Sequence, residues 1–346
     1  MTEFPAPVPA AVEGEPLAVP PPAPPSRLAT LGAGGRRWLR RHLQDPEYPM
    51  VAVEVRARSV GVVRLAREGR RLALGAAVVL DLPEGVVRLS MTEPNLADAG
   101  TFAEVLRAAL ERAGALTTDR VALVLPDPVA RVALLPGPEV PGGRRAATEE
   151  LLRFKLRKSV PFDVRDARLA FASSGSRAAD TVVVAAVYKP VLEGYEAACR
   201  AVGVHPGLVE LSGLALLNSA FGALPAADRL LVNWDEGYVT LLLARGEWPL
   251  LVRTLTGPPA QSSEEVGREV ANTILYYRER LGGTRLDHAV LRSAALPPAQ
   301  AAALLEDPLE MRPELIEPWR ALRVDHVGAV GQALAGAAAC LVGSRS

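Results

Sequence analysis

Two stretches of this chain, one opening at Val51 and the other at Leu230, run through the same series of elements. Val51-Ala52-Val53-Glu54-Val55 alternates as a strand. Ser59–Leu65 and Leu72–Leu80 follow as two more, with the turn Arg67-Glu68-Gly69-Arg70 between them. In the second half Leu230–Val232, Tyr238–Leu243 and Leu250–Thr254 read as strands, set about the turn Asn233–Gly237 and the hairpin Arg245-Gly246-Glu247. The local echo of Leu65–Gly69 in Leu243–Glu247 is short enough for chance. The shared order of strands and turns is the firmer sign, and it points to a duplicated lobe. A length of 346 residues suits two domains or lobes with real cores.

The segments between and after the repeats alternate helix and strand. Thr101 and Glu104 spell a capping box, Phe102, Val105, Leu106, Ala109, Leu110 and Ala113 form one face, and Gly114 stops the helix. Val121–Leu125 and Val129–Leu135 read as short strands. A Pro/Gly loop then leads into a basic helix, Ala146–Lys158, closed by Val160-Pro161-Phe162-Asp163. Two strands (Arg168–Phe171, Thr181–Val187) precede a helix marked by Val191, Tyr195, Ala198, Cys199 and Val202. In the second half a helix capped at Ser262/Glu265 carries Val266, Val270, Ile274, Tyr277 and Leu281, and His288–Leu291 is a strand. The run Val327–Val342 is short for a membrane span and built of Ala and Gly, so it reads as a buried helix. The expected division is an arm over 1–47, a first lobe over 48–228 with a subdomain inserted at about 129–203, a second lobe over 229–323, and a C-terminal apolar helix over 324–346 that packs back on the core.

Composition excludes several functions. The 39 basic and 39 acidic side chains cancel, so no whole-chain field draws the protein to nucleic acid, and aromatics at 5% make a poor base-stacking platform. Cys199 and Cys340 are isolated, which fits a reducing compartment and argues against a disulfide framework; the scattered His42, His205, His288 and His326 form no metal-binding pattern. Lys155, Lys158 and Lys189 are the only lysines, none near a glycine run, so no P-loop exists. Gly32-Ala33-Gly34-Gly35 lacks the third glycine of a dinucleotide loop and follows no strand. The N-terminus begins with an acid and runs Pro-rich to Pro25, unlike a secretion signal, and is expected to be a disordered arm. Arg36-Arg37-Trp38-Leu39-Arg40-Arg41-His42 reads as a helix able to rest on an anionic membrane, or as a linker packing Trp38 on the core.

The duplicated hairpins resemble those of the actin-like superfamily. The stretch Leu152–Asp163, ending Val160-Pro161-Phe162-Asp163, narrows this: it looks like the helix and (I/V)PFD segment of the type IV pilus assembly protein PilM, a family related to FtsA and GspL. The order of first hairpin, helix, PFD segment, second hairpin, long helix and final apolar helix matches from about Val51 to Leu341. The resemblance implies an α/β, two-lobed actin-like ATPase fold of duplicated RNase H-like lobes, with an α/β subdomain inserted in lobe 1. It also implies a cytoplasmic protein peripheral to the inner membrane, bound there through the short cytoplasmic tail of a PilN-like partner.

The family's first hairpin reads D-x-G-x-x-S, with the acid toward metal-bound water, the glycine at the phosphate and the hydroxyl donating to it. Here the aligned residues are Glu54, Arg56 and Ser59. The second hairpin's D-x-G becomes Asn233-Trp234-Asp235, and Ser293-Ala294-Ala295 stands where a Gly-Gly adenosine loop is usual. The resemblance makes Glu54, Ser59 and Asn233 the remnant of a degenerate ATP and Mg site, against which they also read as ordinary turn residues, and the expectation is no cofactor and no catalysis. Arg56 and Asp235, on facing hairpins, are expected to bridge the cleft. The resemblance further implies a partner groove beside the inserted subdomain, lined by Leu152, Leu156, Val160 and Phe162, with Arg153 and Arg157 (and Lys155 and Lys158) selecting acidic flanks. Two alternatives stand beside the scaffold: an ATPase of the same fold using Glu54 and Ser59, and a GspL-like secretion module. The latter is expected to continue into a membrane helix and a periplasmic domain, where this sequence ends at Ser346.

Overall fold

The computed structural model describes residues 48–69, 71–136, 145–173, 181–221, 227–246, 248–322, 324, 327 and 330–343. The Pro-rich arm, the glycine run at 32–35 and the basic segment at 36–42 lie outside them. Lobe 1 opens with β1 (Val51–Val55), β2 (Ser59–Glu68) and β3 (Arg71–Asp81), an antiparallel meander. Helix α1 (Ala99–Arg112) crosses to β4 (Arg120–Leu125), which lies parallel to β1. The cap of α1 is Asp98 rather than Thr101: its Oδ1 accepts from the Thr101 amide at 2.9 Å, so the helix starts one turn earlier than the Thr/Glu spacing suggests. Gly114, at φ 62°, ends it.

The insert consists of β5 (Ala130–Pro136), α2 (Arg145–Leu156), β6 (Ala167–Ser173) and β7 (Thr181–Tyr188), with the strands in the antiparallel order β5-β7-β6. Alternation in β7 sends Val182, Val184 and Ala186 to one face, where Leu152, Leu156, Val160 and Leu169 complete a small core. Helix α3 (Lys189–Ala201) leaves the insert: its Val191, Tyr195, Ala198 and Cys199 pack into the lobe 1 core with Phe102 and Leu106. The insert therefore ends near Tyr188, shorter than the expected 203. Strand β8 (His205–Leu211), unmarked in the sequence because Pro206 and Gly207 interrupt it, extends the lobe 1 sheet to the order β3-β2-β1-β4-β8 and leads into α4 (Ser212–Phe221).

Lobe 2 repeats the plan. Strands β9 (Asp228–Asp235), β10 (Tyr238–Arg245) and β11 (Trp248–Thr256) form the meander. Helix α5 (Ser263–Arg280), capped by Ser262, leads to β12 (His288–Ser293), parallel to β9, and α6 (Pro298–Leu309) leads to the short β13 (Glu314–Leu315). The sheet order, β11-β10-β9-β12-β13, is that of lobe 1.

The last helix, α7 (Ala335–Gly343), lies between the lobes beside α4. Its Ala337, Ala338, Ala339, Cys340 and Leu341 share one core with Ala52, Val63 and Val124 of lobe 1 and Leu231 and Leu242 of lobe 2. Small side chains let the two helices approach: a Cβ added at Gly343 would come within 3.3 Å of the Ser219 backbone. The helix starts at Ala335 rather than before Val327. Just before it, the Gln332 side chain accepts from the Ser293 amide and donates to the Ile316 carbonyl. Among the described residues no helix is long and apolar enough to cross a membrane.

Candidate functional site

The two hairpins face each other across the inner ends of β1 and β9, the central strands of their sheets. Glu54 and Asn233 sit at equivalent positions on those strands, and Arg56 and Asp235 two residues on. All four are buried. Arg56 donates through Nε and Nη2 to Asp235 Oδ1 at 3.0 and 2.7 Å, while its Nη1 reaches Ser59 Oγ at 3.1 Å and its Nη2 the Ala294 carbonyl at 3.0 Å. A guanidinium thus ties the first hairpin to the second and to the segment after β12.

The centre of the site is a residue that the motifs do not mark. Arg292, on β12 beside Asn233, is fully buried. Its Nη1 donates to Asp235 Oδ2 and, at 3.1 Å, to Asn233 Oδ1; its Nη2 donates to Glu54 Oε1 at 3.0 Å and its Nε to the Gln332 carbonyl at 2.8 Å. Glu54 Oε2 accepts from the Ala337 amide at 2.8 Å, which docks the first turn of α7 on the carboxylate. Asp127, in the turn after β4, adds a second crossing: it accepts from the Gly213 amide at 2.7 Å and from Asn233 Nδ2 at 2.9 Å. An arginine closing an apolar strand, one residue before the altered adenosine loop, was the available sequence signal for Arg292; nothing local distinguishes Asp127.

Electrostatics follow from this packing. Burial opposes ionisation of Asp235, but Arg292 and then Arg56 hold its carboxyl well below the usual carboxylate range. Burial dominates at Glu54 and Asp127 and pushes both up, Arg292 and the Ala337 amide opposing it at Glu54, and hydrogen bonds from Thr240, Gly213 and Asn233 at Asp127. The sign for Asp235 is fixed: a depressed folded pKa contributes stability above its ordinary value of 3.8 and loses it as pH falls below. The raised Glu54 and Asp127 act the other way. Asp235→Asn is therefore expected to flatten the loss of unfolding free energy below about pH 4, read from urea titrations at a series of pH values.

These residues do not fit a nucleotide. The Arg56 guanidinium fills the space between the two hairpins and is paired there with the buried Asp235 carboxylate. Both carboxylate oxygens of Glu54 are occupied, one by Arg292 and the other by the Ala337 amide. The first turn of α7 closes the space from the side: a Cβ at Gly336 would stand 2.6 Å from Glu54 Oε1.

With this geometry fixed, solved structures supply the comparison. The chain superposes on the PilM-PilN type IV pilus biogenesis complex with a TM-score of 0.73, covering 87% of this chain and 99% of that one at 20% identity. The chain has the fold of PilM. The cytoplasmic domain of EpsL, an inner-membrane component of the type II secretion system of Vibrio cholerae, overlaps more loosely (TM-score 0.47, 13% identity, 71% of this chain and 82% of that one). So does a Bacteroides thetaiotaomicron protein with an actin-like ATPase fold (TM-score 0.49, 8% identity, 79% and 94%). No protein-family model and no curated protein matches the sequence.

Within the PilM fold the expected groove residues are redistributed. Leu152, Leu156 and Val160 line no groove, because they are the core under the small sheet. Arg153 turns inward to the Val164 and Ala167 carbonyls at 2.6 and 3.0 Å and to Glu149. Phe162 is half-buried and stacked on Tyr188, ring centroids 5.1 Å apart. Helical spacing shows which residues share a face but not whether that face meets a groove or a sheet. Of the set's charged side chains, Arg157 and Lys158 are exposed. A cavity of about 300 Å³ opens instead on the other face of the small sheet, against edge strand β8. Ala170, Ala185, Val187, Leu208 and Leu211 line it, with Arg168 and Glu210 as its charged groups.

Proposed function

We propose that this chain is a nucleotide-independent scaffold in the inner-membrane assembly of a type IV pilus or a related secretion system, held at the cytoplasmic face by the tail of a PilN-like protein. The observation that carries the reading is the buried chain Arg56–Asp235–Arg292–Glu54, which joins the lobes with protein side chains inside a PilM fold. A clamp of this kind keeps one closure of the cleft at any ATP concentration, as a platform requires and a nucleotide cycle does not. Calorimetric titration of Mg-ATP into the folded protein is expected to give no heat; micromolar binding would favour the ATPase reading through Glu54 and Ser59.

The partner tail is assigned to the cavity between the small sheet and β8. Strands β6 and β8 are both sheet edges, so an extended peptide there can add main-chain hydrogen bonds while its apolar side chains fill the pocket. The probe is a labelled synthetic peptide carrying the cytoplasmic N-terminal segment of the PilN protein from the same organism, followed by anisotropy. Val187→Asp is expected to weaken binding at least about tenfold, the order of effect of losing one buried interface anchor, measured at a temperature where circular dichroism shows the variant folded, because Val187 also packs on the lobe 1 core. Wild-type affinity in Val187→Asp would remove the tail from this cavity.

A further inference from the structure

The outer face of α2 carries a feature that neither the cleft nor the cavity uses. Leu152 and Leu156 give the helix its buried side, yet Phe154 stands 69% exposed on the other, the most exposed of the large apolar side chains described. The Arg157 guanidinium lies 5.6 Å from its ring centroid, and Lys158 is exposed at i+4. The ion pairs of the subdomain lie elsewhere: Arg153 with Glu149, Arg165 with Asp163, Lys189 with Asp166. Glu150, at i−4 from Phe154, is the acid one turn back along the same face. Between residues 130 and 189 the chain has eleven basic and six acidic side chains, against a whole-chain balance of 39 to 39.

We propose that this face of α2 docks on an anionic lipid bilayer, with the Phe154 ring in the headgroup region and Arg157 and Lys158 against the lipid phosphates. An aromatic ring flanked by cations on flexible stems gains from both parts of such an interface, apolar depth and negative surface potential. The ring projects into solvent, whereas a peptide partner of defined shape is held by concave, apolar surface. That difference favours a fluid, negatively charged surface over an acidic peptide. The inference rests on α2 and is independent of where the partner tail binds.

The test is flotation of the full chain with vesicles of phosphatidylcholine alone or mixed with phosphatidylglycerol. Binding is expected to the mixed vesicles only and to weaken as salt screens the charges. Phe154→Ser is expected to lower the apparent affinity about tenfold, and the Arg157→Glu/Lys158→Glu double variant to abolish flotation. All three side chains are exposed, so melting temperatures should stay at the wild-type value. Absence of binding to mixed vesicles would overturn the proposal. Binding that persists equally in both variants would also overturn it, moving the contact to another segment such as 36–42.

Discussion

Replacing Arg292 with methionine is expected to lower the unfolding free energy by about 3–5 kcal/mol, the range for removing one partner from a buried ion pair. In a chain of this size that is a fall in melting temperature on the order of 10 °C, measured by circular dichroism. The reason lies in what is left behind. Glu54 and Asp235 are both buried, and each meets a terminal nitrogen of this one guanidinium. Methionine fills similar volume but donates nothing, so two carboxylates and the Gln332 carbonyl lose a partner together. Arg56→Met should cost less, because Asp235 keeps Arg292. The comparison variant is Arg278→Met on the surface of α5, whose Glu310 partner is 59% exposed and whose loss should cost less than about 1 kcal/mol. Equal effects of Arg292→Met and Arg278→Met would mean that the cleft network does not hold the lobes.

The second large effect is expected from Gly336→Val. A Cβ at this position meets Glu54 Oε1 at 2.6 Å, Ser212 Oγ at 2.9 Å and Glu54 Cδ at 3.0 Å, before the valine methyls are counted. Either Glu54 leaves Arg292 and the Ala337 amide, or the first turn of α7 lifts from the hairpin. Overpacking of a tight interior costs about 1–3 kcal/mol, and the displaced buried charge puts this case at the upper end. Urea unfolding reads the change. Gly194→Ala offers the opposite sign within the same chain: no atom stands within 4 Å of its added Cβ, and it lies inside α3, where alanine is favoured over glycine by about 0.5–1 kcal/mol. A Gly336→Val protein as stable as wild type would show that α7 is free to shift and that Glu54 does not depend on it.

Much of the architecture was legible because periodicity and turn chemistry are local. Strands buried on one or both faces, the Ser262 cap and the Gly114 and Gly237 turns all follow from short spans of sequence, and the repeated order of those spans points to two similar lobes. The duplicated hairpins also led to a pairing of Arg56 with Asp235, and the two side chains are in contact. The limits were equally specific. Strand β8 was hidden by Pro206 and Gly207, since its pairing with β4 is decided by the neighbour strand rather than by its own composition. The apolar stripe of α2 showed that Leu152 and Leu156 share a side; that the side faces β6 and β7 depends on how the insert folds over it.

By itself, then, the sequence determined most of the element types, the repeated order of strands and turns, and the absence of a P-loop. These are statements about residues near one another in the chain, where backbone conformation and burial pattern suffice. Only the tertiary structure decided what occupies the cleft. Arg292 stands 238 residues from Glu54, and Ala337 stands 283 from it. No local rule distinguishes an arginine that ends a strand at the surface from one that neutralises two buried carboxylates. Nor does anything in an Ala/Gly run reveal which residue must lack a side chain. That assignment belongs to Gly336, because the fold of lobe 1 brings Glu54 of β1 and Ser212 of α4, far apart in the chain, to the same point against the first turn of α7.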